Sequence, residues 1–237
     1  MLPHHYWEIA NVKISRANNM PKQSIAYGVM GGIYISIGAL LMSIAKMYDC
    51  NSIICGLLFS CGLFFIVITG SELFTGNCII TALYPEIDTS KLLLFNYISN
   101  FIGASIMFLI VANSGLDYTT LSSIAASKCD TNQSIFELFV KGFACNMLVC
   151  LAVFFSVYLD RTFSKIERFI AVVFPVTTFV ACGFEHSIAD MFFIPFGVLN
   201  GSVEIANALL ILAVITIGNI FGGLFIGFLI KQTYRED

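Results

Sequence analysis

Apolar positions in this chain fall in long blocks. Six runs, about residues 24–47, 53–69, 92–112, 136–158, 166–182 and 206–230, are long and apolar enough to span a bilayer as helices. The second and fifth runs are broken. The second ends at Gly70-Ser71-Glu72-Leu73-Phe74-Thr75-Gly76-Asn77 and resumes as Cys78-Ile79-Ile80-Thr81-Ala82-Leu83. The fifth ends at Gly183-Phe184-Glu185-His186-Ser187-Ile188-Ala189-Asp190 and resumes as Met191-Phe192-Phe193-Ile194. Irregular backbone cannot face lipid, so each break must be buried in protein or line a cavity.

The breaks recur at matching places. Val67-Ile68-Thr69-Gly70-Ser71-Glu72 parallels Val180-Ala181-Cys182-Gly183-Phe184-Glu185, and Asn100-Phe101-Ile102-Gly103 parallels Asn219-Ile220-Phe221-Gly222. Three runs per half is an odd number, so the second half enters the membrane from the opposite face. The expected fold is an all-α integral membrane protein: six transmembrane helices as two inverted three-helix repeats, with broken second and fifth helices. Interrupted helices at matching places in inverted halves point to a transport site near the midplane. The expected units are a cytoplasmic N-terminal segment (1–23), a first repeat (24–115), an outer loop (116–134), a second repeat (135–231) and a cytoplasmic tail (232–237).

Composition agrees: 58% of residues are hydrophobic and 11% charged, against roughly 25% charged in a soluble domain. Of the 12 Lys and Arg, nine (Lys13, Arg16, Lys22, Lys91, Arg161, Lys165, Arg168, Lys231 and Arg235) fall on the side of the termini. Positive loops stay inside, so both termini are expected to be cytoplasmic, in the inner membrane. The first twenty residues lack the apolar core of a cleavable signal and, with Tyr6 and Trp7, read as an interfacial anchor. None of the eight cysteines forms a C-x-x-C pair; most read as small buried hydrophobes. Cys50 and Cys129, both on the outer side, could pair in an oxidising exterior. No metal or cofactor is expected.

Glu185 and His186 sit near bilayer depth, where ionisable groups are costly and mark functional sites. The second piece of each broken helix starts with unpaired N–H groups and a partial positive charge, an arrangement that favours anions. Its apolar surroundings (Phe59, Leu63, Leu73, Phe74, Phe179, Phe184) make a bare ion expensive. A weak acid escapes this cost by taking a proton at or near His186, a side chain whose ordinary titration lies in the physiological range. Ser187 and Asp190, three apart at a helix start, fit a capping pattern.

Ser71-Glu72-Leu73-Phe74-Thr75-Gly76, Lys141-Gly142-Phe143-Ala144-Cys145-Asn146-Met147-Leu148-Val149-Cys150-Leu151-Ala152 and Gly183-Phe184-Glu185-His186-Ser187-Ile188-Ala189 resemble three signature stretches of the formate/nitrite transporter family. The resemblance implies an aquaporin-like protomer in a homopentamer, each protomer conducting a small monovalent anion. It places the central histidine on His186, the loop threonine on Thr75 and a polar pore position on Asn146. One apolar constriction falls on Phe59, Leu63 and Phe179, the other on Leu73, Phe74 and Val149. Lys141 or Lys128 would draw anions into the outer vestibule. Glu72, Glu185, Asp190, Asn100 and Asn219 are structural polar residues; Asp190 departs from the asparagine usual in the motif.

Features of the nitrite and formate branches mix, as in the hydrosulfide channels, so a hydrosulfide channel is favoured, with formate and nitrite next. Expected partners are the anion, the lipid bilayer and other copies of the chain, with no nucleic acid. Proton-coupled symport by the same residues remains open. A neutral-solute pore of the aquaporin kind would carry Asn-Pro-Ala at the half-helix starts, and this chain has none. An enzyme pairing Cys182 with His186 lacks a third orienting group.

Overall fold

The computed structural model describes residues 4–158 and 165–234, and every regular element among them is a helix. In order these are α1 (His4–Asn19), α2 (Pro21–Met47), α3 (Ser52–Thr69), α4 (Phe74–Leu83), α5 (Ser90–Asn113), α6 (Thr119–Lys128), α7 (Ile135–Tyr158), α8 (Lys165–Ala181), α9 (Ser187–Leu199) and α10 (Ile205–Thr233). Five of them, α2, α3, α5, α7 and α10, are long and apolar enough to cross a membrane; α8, which covers the expected run at 166–182, has 17 residues and is not among them. Arg161 and Arg235, counted above among the inner cations, lie outside the described residues.

Local chemistry sets the ends. Pro21 opens α2, where its missing N–H costs nothing. Asn51 caps α3, its side chain accepting from the N–H groups of Ile53 and Ile54 at 3.1 Å each. Both breaks start on a left-handed glycine, Gly70 at φ 67° and Gly183 at φ 69°, a conformation that side chains with a Cβ resist.

Burial is inverted relative to a soluble protein. Glu72, Asn96, Asn100, Asn146, Asp190 and Asn219 are wholly buried, while Phe101, Leu109, Ile110, Leu209, Phe221 and Phe228 are exposed. This distribution suits hydrocarbon outside and hydrogen-bonded polar groups inside. Helix α2 packs on α5, α7 on α10 and α3 on α8. The first two pairs close up through glycine: a Cβ on Gly32 would lie 2.1 Å from the Asn100 carbonyl oxygen, and one on Gly222 2.1 Å from that of Phe143.

Helix α1 differs from its expected role. Tyr6, Ala10, Ile14 and Ala17 form one buried stripe against Ile79, Ile80, Leu83, Leu92, Phe154, Ile226 and Ile230. The ring of Tyr6 lies 5.3 Å from that of Phe154, and Trp7 4.7 Å from Tyr84. Its apolar face is thus spent on the protein, not on lipid, because α4, α5, α7 and α10 present a matching apolar surface where they end. The proposed pairing of Cys50 with Cys129 does not occur; both are free thiols.

Candidate functional site

The two breaks are held by one repeated set of hydrogen bonds. In the first, the Phe74 N–H donates to Asn100 Oδ1 at 2.9 Å, and Asn100 Nδ2 donates to the carbonyls of Gly28 (2.7 Å) and Glu72 (2.9 Å). In the second, the Ser187 N–H donates to Asn219 Oδ1 at 2.9 Å, and Asn219 Nδ2 donates to the carbonyls of Gly142 (2.8 Å) and Glu185 (3.0 Å). The glutamates repeat too: the Glu72 N–H donates to the Tyr27 carbonyl at 3.1 Å, and that of Glu185 to the Lys141 carbonyl at 3.3 Å. A short asparagine carries both the acceptor for a half-helix start and two donors for loose carbonyls. One residue thereby satisfies three backbone groups at each break.

These ties bring Thr75, the second residue of α4, against His186, which precedes α9. Thr75 Oγ1 lies 2.9 Å from His186 Nε2, and both residues are buried. His186 Nδ1 accepts from the Ala189 N–H at 3.2 Å. A nitrogen that accepts carries no proton, so the ring is the Nε2–H tautomer and donates to Thr75. The capping expected of Ser187 and Asp190 is therefore made by His186; Ser187 Oγ has no hydrogen-bond partner among the described residues, and Asp190 turns to Lys128. The ring of Phe179 stacks on that of His186, with centroids 5.9 Å apart, and Phe59 meets Phe179 edge-on at 5.6 Å.

Two cavities approach this pair from opposite faces and share no lining residue. One, of about 450 Å³, opens on the face carrying α1 and is bordered by Lys13, Arg16, Leu73, Asn77 and Arg168. The other, of about 500 Å³, is bordered by Phe59, Phe179, His186, Lys128, Lys141 and Glu185. Leu63, Phe74, Thr75, Asn146 and Val149 line neither. Phe59, Leu63, Leu73, Phe74, Val149, Phe179 and Ile188 belong to one continuous apolar cluster, which reaches from Leu73 at the first cavity to Phe59 and Phe179 at the second. Asn146 lies behind Thr75: its Nδ2 donates to the carbonyls of Thr75 (3.1 Å) and Asn219 (2.6 Å), so it fixes the threonine through the backbone.

Every buried carboxylate here is paired, as burial of charge demands. Glu72 receives Arg16 Nη1 at 2.7 Å, Lys13 Nζ at 3.0 Å and Asn77 Nδ2 at 2.7 Å. Glu185 and Asp190 share Lys128, the latter at 2.9 Å. Lys141 is engaged by Glu137 and Gln133, each at 2.7 Å. Lys13 and Arg16 were not among the site residues expected from sequence. The available signal was Glu72 itself, a carboxylate at bilayer depth that needs a cation from outside the spans.

The sequence profile of the formate/nitrite transporter family matches residues 4–232. The chain belongs to that family. It is 33% identical to a probable formate transporter of Methanothermobacter thermautotrophicus, over 90% of this chain and 89% of that protein. Among solved structures, an FNT family ion channel superposes with a TM-score of 0.84 over 99% of this chain and 98% of the other, at 24% identity, a likeness of fold. A pentameric formate channel with formate bound superposes with a TM-score of 0.74 over 90% of this chain and 97% of that one, at 26% identity. The protein is thus a multi-pass membrane protein of a transporter and channel family, not an enzyme.

Proposed function

We propose that the protein is a channel for small monovalent weak-acid anions, with Thr75 and His186 as its polar midpoint. The carrying observation is the 2.9 Å contact between those two side chains, placed between two cavities and enclosed by apolar residues. In this reading Phe59, Leu63 and Phe179 form the outer constriction and Leu73, Phe74 and Val149 the inner one. A bare anion pays heavily to enter such a constriction. Formate therefore takes a proton from vestibule hydronium, leaving formic acid and water, and crosses uncharged. The Nε2–H of His186 donates to Thr75, which leaves the threonine hydroxyl proton free to meet an acceptor oxygen of the permeant.

The use of His186 Nδ1 as a helix cap supports passive conduction over proton-coupled symport, since a proton carried on that nitrogen would break the bond from Ala189. Formate and hydrosulfide are the leading permeants. The name of the archaeal relative favours the first, and the mixed signature stretches the second. The reading places α8 as the sixth crossing, the halves as inverted repeats, both termini in the cytoplasm and the chain in the inner membrane. Five protomers assemble, each with its own pore, as in the pentameric formate channel. Asn146, Asn100 and Asn219 hold the pore walls, and Lys141 and Lys128 border its outer mouth.

The test is pH-stepped uptake of formate, hydrosulfide, nitrite and chloride into proteoliposomes, with His186→Ala alongside. Weak acids should enter faster as pH falls while chloride lags. Uptake no faster than in empty vesicles for every anion would overturn the reading.

A further inference from the structure

The two breaks are built alike, but their glutamates are paired differently. On the face of α1, Lys13 and Arg16 both pair with the one carboxylate of Glu72. Five residues beyond Glu72 stands a neutral amide, Asn77, which donates to Glu72 at 2.7 Å and accepts from Lys13 at 3.0 Å. On the opposite face one cation, Lys128, meets two carboxylates, for a formal excess of −1. There the position five residues beyond the glutamate is Asp190. The charge of this second cluster thus turns on one position, filled by an amide in the first.

Asp190 is wholly buried, and its ion pair to Lys128 at 2.9 Å lacks an aligned hydrogen bond. Around it lie Lys128 at the end of α6 and Cys129 just after it, Cys145 from α7, and Glu185 and His186 from the break. Lys128 is the sole cation in that set. Lys128, Glu185 and His186 line the cavity on this face together with Lys46, Lys141 and Asp130, so a permeant approaching His186 feels the cluster's field beside theirs.

We propose that Asp190 is a charge-selectivity residue. Its carboxylate beside His186, where ionised, repels anions of strong acids, which cannot shed their charge, and admits weak acids, which can pass as neutral molecules. This rests on the channel reading above. The residue is silent for binding shape and acts through its field on the cavity.

The experiment compares nitrate and formate entry into proteoliposomes holding the full chain, for wild type, Asp190→Asn, Asp190→Ser and Asp190→Glu. Removing the charge should raise the nitrate-to-formate ratio on the order of tenfold, the effect of a unit charge acting over about 12 Å at an effective dielectric constant of about 20. Asp190→Glu, which keeps the charge, should hold the wild-type ratio. A wild-type ratio in both neutral variants overturns the assignment while leaving the channel reading intact. Absence of formate entry in wild type overturns both.

Discussion

Thr75 Oγ1 and His186 Nε2 stand 2.9 Å apart although 111 positions separate them in the chain. Each comes from the interruption of a different helix pair, and each is carried there by an asparagine on a third helix. The contact is therefore a readout of the whole fold. Thr75→Val removes the hydroxyl and keeps the shape, so it should cut formate flux about tenfold, as expected for a lost hydrogen bond worth about 1.4 kcal/mol. Thr75→Ser should keep most of the flux. Stopped-flow uptake of the three proteins checks this.

The asparagine ties predict stability as well as geometry. Asn219→Ala strips an acceptor from the Ser187 N–H and two donors from buried carbonyls. Groups left unpaired in the interior cost about 1–3 kcal/mol each. Thermal unfolding in detergent should fall by several degrees for Asn219→Ala and by a similar amount for Asn100→Ala. A change within error at either position would mean that the ties are not structural.

Glu72 tethers α1. With its side chain wholly buried and bonded to Lys13 and Arg16, Glu72→Gln leaves two cations without a counter-charge, and breaking such a buried pair typically costs about 3–5 kcal/mol. Hydrogen exchange over residues 4–19 should accelerate in the variant while exchange in α5 and α10 stays slow. Equal acceleration throughout would point to general unfolding instead of release of α1.

Lys128, at the end of α6, provides a pH prediction. Burial acts to lower its pKa, but the carboxylates of Asp190 and Glu185 outweigh burial and raise it above the ordinary lysine range. A raised folded pKa stabilises fully below the unfolded value and is lost only as pH climbs through the folded one. The cluster should therefore hold from neutral pH to about pH 10, with no inflection in stability from this residue. Reductive methylation at mildly alkaline pH should modify the exposed Lys46 quickly and Lys128 slowly; equal rates would contradict the pairing.

Close helix contact sets a steric limit. A Cβ on Gly32 would meet the Asn100 carbonyl oxygen at 2.1 Å, a backbone atom that cannot rotate away. Gly32→Ala should therefore separate α2 from α5 and lower the yield of folded protein sharply, by fluorescence-detected size exclusion. Gly70→Ala, with nothing within 4 Å but φ 67°, should cost only about 1–2 kcal/mol of backbone strain.

The limits of the long helices, both glycine breaks and the matching of Asn100 with Asn219 were legible in the amino-acid sequence, since apolar run length, left-handed backbone and repeated spacing are properties of short stretches. The expected span at 53–69, for instance, is α3 from Ser52 to Thr69. So was a histidine at depth, because Glu185 and His186 interrupt an apolar run, whereas Thr75 came only from the family resemblance. Three features depended on the tertiary structure. Helix α1 lies on protein because the apolar surface that receives it is assembled from four separate helices. His186 caps α9 in place of Ser187 because ring orientation depends on Thr75, far away in sequence. Asp190 faces Lys128 because α6 packs on α9. Each is a pairing between distant segments, and sequence states what a residue needs without saying which remote residue will supply it.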